Sequence, residues 1–174
     1  ERGLLKKDPK RMPAAFYSKL QQWPKNLKLK ALPIFPQAST NIFTKMISSI
    51  IADSSALVSL ALSTDSNHKQ AVLLARQIEK NNKTLILQGE IFAETINILG
   101  KKVSKEIAVF TANKILKSDL FQIVERSNAQ RLSALEKFQT QPKSVSFTDC
   151  VGMASADHFD TKDIFGFDEC FRKN

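Results

Sequence analysis

Four acidic residues stand where a carboxylate can do more than keep a surface wet. Asp53 follows the apolar run Ile50-Ile51-Ala52, and Asp168 follows Ile164-Phe165-Gly166-Phe167. Asp149 comes directly after Ser146-Phe147-Thr148 and opens a run of small residues, while Glu94 falls between Ile91 and Ile98 at helical spacing. Each also has an ordinary structural use. An Asp just beyond a strand caps the next helix by accepting backbone N–H bonds, and Ser146 or Thr148 could cap in place of Asp149. Glu94 is harder to explain, because a carboxylate on a stripe shared with two Ile side chains is costly unless a cation meets it. A solvated stripe edge or an ion pair with a Lys remain open for it. Glu90, one turn earlier, reads as a partner of the helix dipole.

Together the four have a chemistry that none has alone. Like charges converging on one cleft must raise their pKa values or recruit a cation. An all-oxygen donor set favours Mg²⁺ or Mn²⁺ over Zn²⁺. His68 and His158 are the only imidazoles and neither has a ligand partner at helical spacing, and Cys150 and Cys170 form no CxxC pair. Zinc is therefore not expected, and both thiols read as ordinary residues of a reducing compartment. No GxxxxGK[ST], GxGxxG or GxSxG segment occurs, and five Gly in the whole chain leave no phosphate-cradling loop.

The elements that must position these acids alternate between two hydrophobic periods. Strands are expected at 48–52, 83–88, 120–124 and 163–167. Helices are expected at 54–62, 68–80, 89–99, 104–116, 128–138 and 148–158, with Gly100 as the stop between the third and fourth. That order predicts an α/β fold of three layers, α/β/α, around a central, mostly parallel sheet. In such folds ligands gather beyond the carboxyl ends of the strands, which is where Asp53 and Asp168 fall.

Charge divides the chain unevenly. Residues 1–45 carry ten Lys or Arg against two acids, whereas residues 46–174 carry 16 against 15. The first segment also holds five of the six Pro and the only Trp and Tyr. A basic, Pro-punctuated arm (1–45) thus precedes a nearly neutral body (46–174). Phe16, Leu20 and Trp23 form one stripe between Pro13 and Pro24, a short amphipathic helix that needs a surface to dock on. The longest apolar stretch, Met46 to Leu62, is broken by Asp53 and five Ser, so no membrane span is expected and the protein reads as soluble and cytoplasmic.

Four blocks carry a family likeness: IIADSSALVSL (50–60), IFAETINIL (91–99), SFTDCVGMASA (146–156) and FGFDECF (165–171). In this order the body resembles the PIN-domain ribonucleases, above all the VapC-type toxins of toxin–antitoxin pairs. The resemblance implies that Asp53, Glu94, Asp149 and Asp168 are an acidic quartet holding Mg²⁺ or Mn²⁺ for RNA phosphodiester hydrolysis. Ser55 matches the family's small hydroxyl after the first Asp, and Thr148 would support the third. Gly166 departs from the pattern, since Thr or Ser is common there, and this bears on how Asp168 is held. The resemblance further implies an RNA substrate, a homodimer and an antitoxin, with the basic arm as an antitoxin-like segment acting in cis or on a neighbouring copy. Lys101, Lys102 and Lys105 are candidates for contact with the RNA backbone. The competing readings are a housekeeping PIN nuclease, a catalytically silent binding module of the same fold, and a receiver-like phosphoacceptor using Asp53. The last lacks a second acidic pair near the first strand.

Overall fold

The computed structural model describes residues 49–172. The basic arm, with its expected helix, lies outside the described residues.

The inner strands form where β-branched and aliphatic residues run together. Strand β1 (Ser49–Ala52) is buried along its whole length, as is β2 (Thr84–Gln88). Burial on both faces is what a parallel sheet covered by helices requires. β3 (Phe121–Val124) and β4 (Ile164–Phe165) complete a sheet of order β3-β2-β1-β4. Every neighbouring pair is parallel, with Ile50 opposite Leu85, Leu85 opposite Phe121, and Ala52 opposite Phe165.

The period-two alternation of side chains assigns the helices to two sides. Ile50, Ala52, Leu85, Leu87, Phe121 and Phe165 face one way and form the main core. They pack there with helices α1 (Ser54–Ala61), α2 (His68–Lys80), α3 (Gly89–Lys102) and α4 (Lys105–Leu116). Ile51 and Ile86 face the other way and meet Ala156 of helix α6 (Phe147–His158). Helix α5 (Asn128–Thr140) lies against α6 through Ala134, Val151 and Ala154. The result is the expected three-layer α/β/α arrangement, with an all-parallel sheet. Among the described residues, no helix is long and apolar enough to cross a membrane.

Two boundaries differ from expectation for local reasons. Gly100 does not stop α3, which runs to Lys102. A Cβ at Gly100 would lie 3.7 Å from the Ala108 Cβ of α4, so this glycine sits at a close helix–helix contact. The last strand shrinks to Ile164–Phe165, because from Gly166 onward the chain turns toward α1 instead of continuing along the sheet.

Candidate metal centre

The sheet order makes β1 a switch point. The chain leaves β1 for β2 on one side, while β4 pairs with β1 on the other. A crevice opens beyond the carboxyl ends of adjacent strands at such a point. Asp53 is the first residue past β1 and Asp168 stands three past β4. Helix α6 aims its first turn at the same place and brings in Asp149.

Local chemistry fixes each acid. Asp53 caps α1 and is only 2% exposed. Its Oδ2 accepts from the Ser55 backbone N–H at 2.8 Å and from the Ser55 hydroxyl at 2.6 Å. Asp149 is the third residue of α6 in a capping box with Ser146: its Oδ2 accepts from Ser146 N at 2.7 Å, and Ser146 Oγ accepts from Asp149 N at 3.1 Å. Ser146, not Thr148, is the cap, and Thr148 stands half-buried beside Asp149 in the first turn. Asp168 is exposed, at the start of a short 3₁₀ turn (Glu169–Arg172).

Ser55 joins two of these segments. While its hydroxyl donates to Asp53, the same oxygen accepts from Phe167 N at 3.0 Å. The Asp53 backbone N–H in turn donates to Phe165 O at 2.9 Å. Gly166 fits between them because a Cβ there would come within 3.1 Å of both Asp53 Cβ and Phe171 Cδ2. The Phe171 ring also sits 3.6 Å from where a Cβ on Gly152 would be. Gly166 therefore has an aromatic ring against it, and Ser55 and Phe171 hold the segment before Asp168. Phe171 closes the FGFDECF block, but a Phe offers no ligand atom, and only the fold shows its ring against Gly166 and Gly152.

The three side chains meet. Asp53, Asp149 and Asp168 each offer a carboxylate oxygen, and these lie within 4.8 Å of one another. Burial raises the Asp53 pKa from 3.8 to about 6, the Ser55 bonds oppose the rise, and the Asp168 and Asp149 charges add to it. The same negative field reaches Cys170. Its thiol is pushed up to about 11 by burial and then by Asp149, Asp168 and Asp53.

Glu94 lies outside this group of three. The buried stripe of α3 is Ile91, Thr95 and Leu99, so the register is turned from the one the Ile91–Glu94–Ile98 spacing suggested. Thr95 satisfies its buried hydroxyl on Ile91 O at 2.8 Å, and Glu94 is half-buried at the stripe's flank. There it lines a groove of about 510 Å³ along α3 with Glu90, Asn97, Lys101 and Lys102. Glu90 does more than complement a dipole. Its Oε1 accepts from both Nε and Nη2 of Arg126, which lies beyond β3, and this pairing holds the Glu90 carboxyl below the usual range against the cost of burial.

Three clustered carboxylates, one of them buried, are a poor arrangement without a positive partner and a good one around a hard divalent ion. The donor set fits Mg²⁺ or Mn²⁺. His68 is excluded from such a site. It is buried in α2 with Nδ1 2.9 Å from Ser59 O.

The sequence matches no family model and no curated protein. Among solved structures, the chain is similar to Mycobacterium tuberculosis VapC20, a sarcin-ricin loop cleaving toxin. The TM-score is 0.61 at 18% identity, covering 71% of this chain and 92% of that one. At that identity the likeness is one of fold: this chain has the three-layer PIN architecture of that toxin.

Proposed function

We propose that the chain is a metal-dependent endoribonuclease of the VapC toxin type, built from a PIN-like domain (46–174) and a basic arm (1–45). The observation that carries this reading is the meeting of Asp53, Asp149 and Asp168 within 4.8 Å at the carboxyl edge of the sheet. The three come from separate segments of the chain, and the capping bonds of Asp53 and Asp149 do not offset the like charges they bring together. The similarity of fold to a toxin that cleaves RNA supports the same reading.

Asp53, Asp149 and Asp168 would hold Mg²⁺ or Mn²⁺. When bound, such an ion acidifies water and neutralises charge gathering on the scissile phosphate. The chain's own residues do the rest. Ser55 keeps the Asp53 oxygen pointed into the cleft and ties the Asp168 segment to α1. The capping box with Ser146 fixes Asp149. Glu94 lines the neighbouring groove with Lys101 and Lys102, which would meet the RNA backbone electrostatically. No histidine base is required, which fits a chain with only two His.

The partners follow from the same reading. RNA is the substrate, an antitoxin or the antitoxin-like arm is the inhibitor, and a homodimer is the assembly. A sequence whose two Cys form no CxxC pair fits a cytoplasmic location.

The test is cleavage of a single-stranded RNA by the full chain in Mg²⁺ or Mn²⁺, and in EDTA. Wild type is compared with Asp149→Asn, Asp168→Asn and Glu94→Gln. Cleavage that needs the metal and falls at least about a hundredfold in Asp149→Asn supports the proposal, a loss of the size that removing one electrostatic group from a reacting centre produces. Equal behaviour of all four proteins refutes it. Relief of growth arrest by Asp53→Asn in cells expressing the chain separates a toxin from a housekeeping nuclease.

A further inference from the structure

Beside the acid cluster, at the same edge of the sheet, lies a second constellation that the metal site does not use. Arg126 follows β3, and its side chain is only 4% exposed. Glu90 Oε1 takes its Nε and Nη2, but Nη1 is buried without a partner. Glu90 Oε2, of the same ion pair, is likewise buried without a partner, so this pair keeps hydrogen-bonding capacity unused. The guanidinium lies 5.8 Å from the centre of the Phe147 ring. Phe147 is 37% exposed, and Phe138 of α5 packs edge-on against it at 5.8 Å. The ring is thus held from two sides yet open to solvent. Phe147 is also the first residue of α6 and Asp149 the third. Two residues apart on a helix, they point to different sides of the same helix start, so an extended ligand crossing that start would touch both.

A held but open aromatic ring with an Arg against it is the usual platform for an unstacked base. We propose that Phe147 and Arg126 form the subsite for one single-stranded RNA nucleotide next to the scissile phosphate. The base stacks on the open side of the Phe147 ring, which the Arg126 guanidinium backs from the buried side. Arg126 is held in place by Glu90, so the support under the ring is in position before the RNA arrives. The inference rests on the ribonuclease reading above.

The experiment measures cleavage kinetics of a randomised single-stranded RNA by the full chain, with product ends sequenced. In parallel, fluorescence anisotropy follows a labelled single-stranded oligoribonucleotide in the non-cleaving Asp149→Asn background. Phe147→Ala is expected to raise KM and weaken RNA binding roughly 5–150-fold, the range for loss of one base–aromatic stack, with kcat little changed. Phe147→Trp should restore both, and Phe147→Leu should not. Arg126→Lys, which loses the planar group under the ring, should weaken RNA binding in the same direction and by less. If Phe147→Ala and Phe147→Leu bind and cleave RNA as wild type does, the subsite is refuted. RNA binding unaltered in Arg126→Lys refutes the part given to Arg126. Failure of the ribonuclease reading looks different: wild type cleaves nothing in Mn²⁺, while the anisotropy still reports whether Phe147 contributes to RNA binding. Melting temperatures of each variant exclude unfolding as the cause.

Discussion

Asp53→Asn should stabilise the metal-free protein at neutral pH while abolishing its chemistry. The wild-type carboxyl is 2% exposed and its pKa is raised from 3.8 to about 6, first by burial. Below pH 3.8 both folded and unfolded states carry the proton, and the group costs nothing. Between the two values the folded protein keeps a proton that the unfolded chain has lost, so stability falls as pH rises. Above about pH 6 the whole penalty is present, about 3 kcal/mol at 1.4 kcal/mol per pH unit. Asparagine has the same shape, can still accept the two Ser55 bonds through its carbonyl, and carries no charge. About 2–3 kcal/mol should return at pH 7.5, which for a domain of this size is about 8–12 °C in melting temperature. The assay is thermal unfolding by circular dichroism in EDTA at pH 7.5 and pH 4, with wild type and variant side by side. The gain should shrink toward zero at pH 4. Saturating Mn²⁺ should raise the wild type toward the variant, because a ligand bound only to the folded state stabilises it, and should leave the variant where it was. A variant less stable than wild type at pH 7.5 in EDTA, or a gain equal at both pH values, would falsify the electrostatic account of this site.

The remaining expectations test how the acids are held. Ser55→Ala removes the hydroxyl that donates to Asp53 and accepts from Phe167 N. It should cost about 1–3 kcal/mol in urea denaturation and weaken Mn²⁺ binding, and unchanged Mn²⁺ affinity would show that Ser55 does not organise the site. Gly166→Thr forces a Cβ to about 3.1 Å from Asp53 and Phe171. It should cost about 1–3 kcal/mol as overpacking, partly recovered by Phe171→Leu, and a neutral Gly166→Thr would show that the ring is not fixed there. Calorimetry of Mn²⁺ binding at pH 5.5 should detect release of a proton, since Asp53 is largely protonated there. At pH 8 it should detect none. Equal proton release at both pH values would place the titrating ligand elsewhere.

Much of the fold was legible along the chain, and the reasons are local. Ile50-Ile51-Ala52 and Leu85-Ile86-Leu87 are unbroken apolar runs, which only a two-sided core can take. The Ala71, Ala75 and Ile78 spacing in α2 reads directly as one helix face. Asp53 and Asp168 were identifiable because position relative to a strand end is a sequence property. The register of α3 was not. Ile91 is shared by two possible stripes, and only packing against neighbouring elements, α4 and α1 above all, buries Thr95 and Leu99 in preference to Glu94 and Ile98. Gly100 misled for a similar reason, since a glycine at a helix stop and one under a neighbouring helix look the same in a string.

The order of residues alone determined the two periodicities, the charge division between arm and body, and which acids stand beside strand ends. These depend on near neighbours in the chain, where a few dihedral angles decide the outcome. Tertiary structure alone decided that Asp149 joins Asp53 and Asp168, that Ser55 bridges α1 to the segment before Asp168, and that Arg126 lies beneath Phe147 with one nitrogen unspent. Those pairings link positions about a hundred residues apart (53 to 149, 55 to 167) or cross from strand to helix. They follow from which helix covers which face of the sheet, a choice made by burial of the whole core and not written at any single position.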